Sequence, residues 1–463
     1  MLPIIAHHNR RHFPALALEE SSLAFKKFRL ALAAACALGA GPALAATEID
    51  WWHSMTGASG ERLNQIATKF NASQSNYKVV PVFKGAYDES MSAAIAAYRS
   101  GKAPHILQVL EIGSATMMAE RKAIKPVYEV MAQAGEKFDP KAYLSAVTGY
   151  YGDTHGRMLS MPFNSSTPVF YYNKDAFKKA GLDPNKPPRT WDEMQEAALK
   201  VKDAGMACSF TTGRQSWVQL ENMSALHDQE FATKQNGFGG FETKLVFNNQ
   251  ILVRHIAKLS SWVKSGLFTY AGRANEPEAK FYGGDCAMLT SSSTAYVDIK
   301  RNAKFEFGVS RLPYYDDVNG APQNSIIGGA SLWVMSGKKP AGYKGVAKFF
   351  TFLSSPEIQA DWHQKTGYVP VTKAAYELTK KQGFYETNPG SDIAIHQLLL
   401  KNQTKDSKGI RLGSFVQIRG IIDEELEAVW SQQKSPKQAL DDAVERGNAE
   451  LRKFERANKA GGR

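Results

Sequence analysis

Motifs for metal binding and nucleophilic catalysis are scarce in this sequence. The seven histidines after residue 45 are scattered singly, and there is neither an H-E-x-x-H pair nor a G-x-S-x-G elbow. A metal-dependent phosphodiesterase would need clustered histidine and aspartate ligands, and a glycosidase would need two carboxylates about the sugar. A secreted enzyme is therefore the less favoured class, and the sequence predicts no metal, no cofactor and no catalytic residue.

Long apolar runs are also lacking. The longest covers residues 30–44, about 15 residues against the roughly 20 that span a bilayer. It follows Lys26, Lys27 and Arg29 and ends at Ala43-Leu44-Ala45, a small-residue cleavage site. This pattern predicts a signal peptide over residues 1–45 and a soluble protein released into the periplasm.

Only three cysteines are present. Cys36 lies inside the apolar run, and a lipoprotein signal would need a leucine-like residue where Ala33 stands, so lipid anchoring is disfavoured. Cys208 and Cys286 each precede a strand-like segment. In an oxidising compartment they can form a disulfide, but two buried free thiols fit the sequence equally well.

The charge balance is basic but not concentrated. The net charge of +12 falls to +9 once residues 1–45, with five basic and two acidic side chains, are removed. Basic proteins often bind nucleic acid, yet no arginine-rich run or basic stripe interleaved with aromatic residues appears. Together with the export signal, this favours a solvated basic surface and predicts no nucleic-acid partner.

The remaining 418 residues exceed what one hydrophobic core normally serves, so we expect two lobes. Strand-like segments at residues 48–55, 78–83 and 105–110 alternate with helical stripes, one of which contains Leu63, Ile66 and Phe70. This alternation predicts α/β lobes with mainly parallel sheets, which bind ligands beyond the carboxyl ends of their strands. Residues 84–88 and 111–114 follow two such ends. Serine-proline pairs at 355–356 and 435–436 predict helix starts, so the last third should be largely helical.

Residues 161–194 are the most informative segment. Asn164, Ser165, Ser166 and Thr167 lie between two prolines, which suits a loop that crosses between lobes and offers hydrogen bonds. A strand follows at 169–173, then a helix that should open at Asp175 and close at Gly181, and a second helix with a Thr190/Glu193 capping box. The alternative is an ordinary crossover from strand to helix with no ligand.

The order of motifs resembles a known family. FYGGDCAM at 281–288 fits the F-x-x-G-x-x-A-M pattern of extracellular solute-binding proteins of the maltose-binding type. The chain is more closely similar to the glycerol 3-phosphate-binding members, which serve ATP-binding-cassette importers. The resemblance extends from about residue 47 to 455 and is carried by these segments: WWHSM, KGAY, LQVLEIGSATMM, PFNSSTPVFYYNKDAFKKAGLDP, APQNSIIGGASLWVM, DWHQKTGYVPVTKAAY and VQIRGIIDEELEAVW.

This resemblance implies a two-lobed periplasmic binding protein of type II, a monomer that holds its ligand between the lobes and docks on the importer's membrane permease. The implied division is a first lobe at 46–163 and 328–369, and a second lobe at 164–327 and 370–463, the last segment mainly helical. Chain crossings should fall near 163–166, 327–330 and 368–372. The implied ligand is sn-glycerol 3-phosphate or a glycerophosphodiester; the same fold serving an oligosaccharide or polyol is the nearer alternative.

The resemblance also implies a set of ligand contacts. We expect the Arg419 fork to bind the phosphate and Glu111 to accept hydroxyls at the opposite, glycerol end. Without the resemblance, Arg419 is read as a surface ion pair with Asp423 or Glu424, and Glu111 as a solvated charge. Hydroxyls and one amide supply the remaining bonds, and aromatic rings cover the carbon backbone; these residues are Ser166, Ser292, Tyr368, Gly329, Tyr87 and Trp217.

One position departs from the family. Where the family usually has G-W-x-x-W, this chain has GRQSW, with Arg214 at the first aromatic position and Trp217 at the second. A cation there can add a second phosphate partner or open the pocket toward larger glycerophosphodiesters. A trimethylammonium head group, as in glycerophosphocholine, would meet electrostatic repulsion from Arg214. The preferred glycerophosphate compound therefore depends on this residue.

Overall fold

The structure is a computed structural model that describes residues 45–460. The signal peptide expected at residues 1–45 lies outside the described residues, apart from Ala45. Within the described part, no helix is both long and apolar enough to cross a membrane.

Residues 45–460 contain ten strands and nineteen α-helices, and only helices follow the last strand. The strands are β1 Thr47–His53, β2 Tyr77–Phe83, β3 Ile106–Leu110, β4 Ile124–Lys125, β5 Met161–Ser166, β6 Pro168–Asn173, β7 Cys208–Thr212, β8 Cys286–Ser292, β9 Phe307–Ser310 and β10 Gly328–Met335. The helices are α1 Gly57–Ser73, α2 Tyr87–Arg99, α3 Ser114–Ala119, α4 Val127–Ala134, α5 Ser145–Tyr151, α6 Lys174–Lys179, α7 Trp191–Asp203, α8 Asn222–Leu226, α9 Thr233–Asn236, α10 Gln250–Lys264, α11 Glu276–Tyr282, α12 Ala295–Asn302, α13 Pro340–Leu353, α14 Pro356–Thr366, α15 Lys373–Lys381, α16 Phe384–Thr387, α17 Ile393–Leu398, α18 Phe415–Trp430 and α19 Pro436–Ala460.

The first sheet has the strand order β2-β1-β3-β10-β4, with β5 also paired to β10. Strands β1, β2 and β3 are parallel, whereas β10 runs antiparallel to β3, β4 and β5. The predicted stripe of Leu63, Ile66 and Phe70 on α1 is buried against this sheet. We call this sheet and the helices packed on it the first lobe.

The second sheet has the order β7-β8-β6-β9, in which β7 and β8 are parallel but β6 runs antiparallel to β8 and β9. The expectation of mainly parallel sheets is therefore wrong, because β10 and β6 run against all of their neighbours and antiparallel pairs outnumber parallel ones in both sheets. Cys208 and Cys286 are direct partners in the register of β7 against β8, and they form a disulfide with a Cα–Cα distance of 4.4 Å. The sequence alone left this pairing open. We call this sheet and its helices, including α18 and α19, the second lobe. Both sheets belong to one compact unit that begins at Thr47.

Local signals account for several helix boundaries. The Thr190/Glu193 capping box is formed: Thr190 Oγ1 accepts from the Glu193 amide at 3.1 Å, and Glu193 Oε2 accepts from the Thr190 amide at 3.2 Å. The expected opening of α6 at Asp175 is wrong, because the Asn173 side chain accepts from the Ala176 amide at 2.9 Å and starts the helix at Lys174. Asparagine is as good an N-cap as aspartate, and here it comes first.

The first crossing between the sheets takes a single residue, Thr167, which separates β5 of the first sheet from β6 of the second, and the chain returns to the first sheet between β9 and β10. Ser165 in β5 also forms a bridge with Val369, whose amide donates to the Ser165 carbonyl at 2.8 Å. The start of β10 at Gly328 pairs with Ser166. Three segments that are distant in sequence therefore meet beside the boundary between the lobes.

Candidate functional site

Glu111 lies at the carboxyl end of β3, where a buried apolar strand gives way to a short 3-10 turn at Glu111–Gly113. Its side chain is buried. Oε1 accepts from Arg419, but Oε2 has no hydrogen-bond partner within the described residues. Burial raises the pKa of Glu111, the charge of Arg419 opposes that rise, and the charge of Glu221 adds to it.

Arg419 projects from α18 of the second lobe and lies between two carboxylates. Its Nε and Nη2 donate to Glu221 Oε1 and Oε2 at 2.8 and 2.7 Å, and Nη2 also donates to Glu111 Oε1 at 2.9 Å. Arg419 therefore links a residue of the first lobe to one of the second. The two carboxylates raise its pKa against the opposing effect of burial, so the guanidinium stays charged.

Two sequence expectations about Arg419 are wrong. Arg419 and Glu111 were expected at opposite ends of a ligand, yet they are in direct contact. The alternative, a surface pair with Asp423 or Glu424, also fails: Arg419 is largely buried, and Glu424 pairs with Arg446. The reason is Glu221, which the sequence analysis missed. It lies four residues after Trp217 in a π-helical turn at Trp217–Glu221, so an acidic residue one turn beyond the expected aromatic was the available signal.

Tyr87 and Tyr368 form a second group. Tyr87 begins α2, and Tyr368 lies in the crossing segment after α14, stacked on Trp362 with the ring planes 4° apart. Both phenol oxygens lie near Met55 Sδ, at 3.8 and 3.9 Å. Burial raises the pKa of both phenols, and the nearby Asn164 amide and the charge of Arg214 oppose that effect. Four separate segments, those of Met55, Tyr87, Asn164 and Tyr368, thus lie close together.

The crossing strands come close to this space. Gly329 has φ +95°, and a Cβ there would lie 1.9 Å from the Asn164 carbonyl oxygen, so only glycine fits. A Cβ on Gly328 would lie 2.5 Å from Cζ2 of Trp217, which places that indole ring against the start of β10. Ser166, the strand partner of Gly328, is buried beside them.

Ser292 ends β8, and its neighbour in the sheet is Pro168 of β6. Its side chain is buried, and Oγ accepts from the Thr294 hydroxyl at 2.9 Å and from the Thr294 amide at 3.3 Å. The Ser292 hydroxyl proton is therefore free to be donated elsewhere.

Arg214 is only partly buried, with 35% of its side chain exposed. Its Nη1 donates to Glu278 Oε1 at 2.7 Å and to Ser291 Oγ at 3.3 Å. Burial raises the pKa values of Tyr87 and Tyr368 in the first lobe, and the charge of Arg214 acts against that rise. Of the expected residues, the structure brings Glu111 against Arg419, Ser166 and Trp217 against the start of β10, and Tyr87 and Tyr368 to Met55, whereas Arg214 and Ser292 contact residues of the second lobe.

Several buried polar atoms in these segments have no hydrogen-bond partner. Within the part of the chain that the structure describes, Glu111 Oε2, Asn164 Nδ2, Ser165 Oγ and Trp217 Nε1 are buried and have no hydrogen-bond partner. Each such atom costs roughly 1 to 3 kcal/mol when it stays unpaired. A small polar molecule that carries both hydroxyl groups and acceptor oxygens can pair with an acceptor such as Glu111 Oε2 and a donor such as Trp217 Nε1. Among the described residues, no cluster of three or more potential metal ligands accompanies them.

A comparison with protein families decides the class. The family model of the bacterial extracellular solute-binding proteins matches residues 65–390. The chain belongs to this family.

Individual relatives within the family are close. The sn-glycerol-3-phosphate-binding periplasmic protein UgpB of Pectobacterium atrosepticum is 56% identical over 438 residues, which cover 94% of this chain and 98% of that protein. The UgpB protein of Yersinia pestis is 56% identical over 418 residues, covering 90% of this chain and 95% of that protein.

Solved structures show the fold. UgpB from Mycobacterium tuberculosis in complex with glycerophosphocholine superposes with a TM-score of 0.73 at 22% identity, covering 90% of this chain and 99% of that one. The cyclic α-maltosyl-1,6-maltose-binding protein of Arthrobacter globiformis gives 0.70 at 20% identity, covering 88% and 99%. The expected fold, a two-lobed α/β periplasmic binding protein, is confirmed.

Proposed function

We propose that this protein is the substrate-binding component of an ATP-binding-cassette importer and that it captures sn-glycerol 3-phosphate or a glycerophosphodiester between its lobes. The observation that carries the proposal is the 56% identity to periplasmic sn-glycerol-3-phosphate-binding proteins over 94% of the chain. The unpaired polar atoms at the lobe boundary support it, because a glycerophosphate offers both the donors and the acceptors that they lack.

The contacts of Arg419 change where the two ends of the ligand should lie. Glu111, Arg419 and Glu221 together carry one net negative charge, which would repel a phosphate dianion. A glycerol hydroxyl, by contrast, can donate to the unpaired Oε2 of Glu111 and accept from Trp217 Nε1. We therefore assign the glycerol end to this cluster.

The phosphate then lies among neutral donors and Arg214. The hydroxyl groups of Tyr87, Tyr368, Ser166 and Ser292 and the Gly329 amide supply hydrogen bonds to its oxygens. Burial keeps the phenols protonated at neutral pH, so that they donate rather than carry a competing negative charge.

The setting of this activity is the periplasm. The predicted signal peptide over residues 1–45 and the periplasmic relatives support export, and delivery to the membrane permease follows from the importer role. The protein acts as a monomer that binds its ligand without converting it and needs neither metal nor cofactor.

Titration calorimetry with the mature protein tests the proposal. The panel is sn-glycerol 3-phosphate, two glycerophosphodiesters, glycerol, inorganic phosphate and maltose. We expect binding of at least one glycerophosphate compound, with glycerol and phosphate alone at least 100-fold weaker. Maltose binding without glycerophosphate binding would show that the fold serves another solute, and release of phosphate or glycerol, followed by phosphorus NMR, would show an enzyme.

A further inference from the structure

Arg214 is held in place by its backbone. It follows Gly213 and has φ +47°, a conformation that is uncommon for a residue with a β-carbon. Its amide donates to the Ala274 carbonyl and its carbonyl accepts from the Val218 amide, both at 3.0 Å. A Cβ on Gly213 would lie 2.7 Å from Ser291 Oγ, so the loop is packed tightly on β8. These contacts fix the direction in which Arg214 leaves the chain.

Glu278 on α11 holds the other end of the side chain. Its carboxylate is buried, and Oε1 accepts from both Arg214 Nη1 and Ser291 Oγ at 2.7 Å. Neither the sequence motifs nor the family resemblance marked Glu278. A buried carboxylate that is paired with one guanidinium leaves the pair without net charge. The position that the family fills with an aromatic ring is thus a neutral ion pair here.

The pair leaves hydrogen-bond donors unused. Only Nη1 of the Arg214 guanidinium has a partner within residues 45–460, so Nε and Nη2 remain available along the exposed part of the side chain. The phenols of Tyr87 and Tyr368 lie near Arg214, whose charge lowers their pKa values against the effect of burial. These groups form a fixed array of donors beside the expected phosphate.

An array of donors needs acceptor oxygens. A polyol offers hydroxyl oxygens to Nε and Nη2, whereas a trimethylammonium group has neither a donor nor an acceptor and prefers an aromatic face, which Arg214 does not provide. We infer that the Arg214–Glu278 pair forms a head-group subsite for a glycerophosphodiester whose alcohol is a polyol, with Glu278 as the positioning residue. This inference rests on the proposed function and extends it to the alcohol half of the diester.

The test compares ligands that differ only in the alcohol. Glycerophosphoglycerol and glycerophosphocholine share the same glycerol phosphate, so their affinity ratio reports the subsite alone. Calorimetry on the wild type should give at least tenfold tighter binding of glycerophosphoglycerol. In Arg214→Met this ratio should fall at least fivefold. Glu278→Gln keeps an acceptor oxygen for Nη1 but leaves the positive charge of Arg214 unbalanced, so the affinity for glycerophosphocholine should fall at least threefold.

Arg273→Met is the matched control. Arg273 is one residue from Ala274, and it pairs with Glu427 on the exposed surface. The substitution removes the same positive charge from a neighbouring loop and should change the affinity ratio of the two diesters by less than twofold from that of the wild type. The double variant Arg214→Met/Glu278→Gln avoids an unpaired buried carboxylate if Arg214→Met alone does not fold, and it should show the same fall in the ratio.

Two results would overturn the inference while leaving the proposed function intact. One is an unchanged ratio in the Arg214 variants, with sn-glycerol 3-phosphate still bound. The other is a wild type that binds glycerophosphocholine as tightly as glycerophosphoglycerol. Failure of the wild type to bind any glycerophosphate compound would instead refute the proposed function itself.

Discussion

The strongest prediction concerns Arg419→Ala. The substitution removes three charge-assisted hydrogen bonds and leaves the buried carboxylates of Glu111 and Glu221 next to each other without a cation. Removing one partner of a buried ion pair typically costs about 3 to 5 kcal/mol. For about 400 residues that unfold together, the entropy of unfolding is roughly 0.85 kcal/mol/K, so we expect the melting temperature to fall by about 4 to 6 °C.

The pH dependence of this loss gives a second measurement. Without Arg419, the pKa of Glu111, which burial already raises in the folded protein, should rise further above that of the unfolded chain. The folded variant then holds protons that the unfolded chain has released, so its stability falls as pH rises through that window. The difference from wild type should therefore be larger at pH 8 than at pH 5. Urea unfolding at both pH values, followed by circular dichroism, measures it.

Arg273→Ala is the matched control. Arg273 donates from Nε and Nη2 to the two oxygens of Glu427, the same pattern that Arg419 makes with Glu221, but 45% of its side chain is exposed. Exposed pairs contribute less than about 1 kcal/mol, so this variant should lose little stability. Equal losses in the two variants would refute the argument that burial makes the Arg419 cluster costly to break.

Ligand affinity should also depend on Arg419. In the proposed site Arg419 holds Glu111 in position for the glycerol hydroxyls, so we expect Arg419→Ala to weaken sn-glycerol 3-phosphate binding by roughly 2 to 4 kcal/mol. Titration calorimetry on the folded variant measures this loss. A change below about 0.5 kcal/mol would place Arg419 outside the binding site.

Three further predictions address stability and processing. Burial raises the pKa of Asp423 to about 6, so the folded protein keeps a proton that the unfolded chain releases near pH 4. The stability of the protein therefore falls as pH rises between these two values. Asp423→Asn should raise the free energy of unfolding by about 1 to 3 kcal/mol at pH 8 and change it little at pH 4. Gly329→Ala should cost roughly 3 kcal/mol or more, because the added Cβ would meet the Asn164 carbonyl, whereas Gly337→Ala, at φ +82° with open space around it, should cost only about 1 kcal/mol in thermal unfolding. Intact-mass analysis of exported protein should show a mature chain that begins at Ala46; a diacylated Cys36 at the N-terminus would contradict this.

Features that depend on neighbouring residues were predictable from the sequence. The Thr190/Glu193 capping box needs only two side chains three positions apart, and it forms as expected. The stripe on α1 and the strands of the first sheet follow from the period of apolar residues over short stretches. The Cys208–Cys286 disulfide could not be decided, because it depends on the register of β7 against β8, and the two cysteines are 78 residues apart. The period of apolar residues predicts which side chains of a strand are buried, but it does not predict which strand pairs with it.

The partners of charged residues were the hardest features to predict, and Arg419 shows why. Reasoning from sequence offers partners one helical turn away, which gave Asp423 and Glu424. The actual partners, Glu221 and Glu111, are 198 and 308 residues away, and only the packing of α18 against the end of β3 brings them together. The motif drew attention to Arg419 but could not show that two carboxylates already accept hydrogen bonds from its Nε and Nη2. Those contacts shift the expected phosphate position toward the tyrosines and serines, because the neighbouring charges that the fold supplies decide whether a buried arginine attracts an anion.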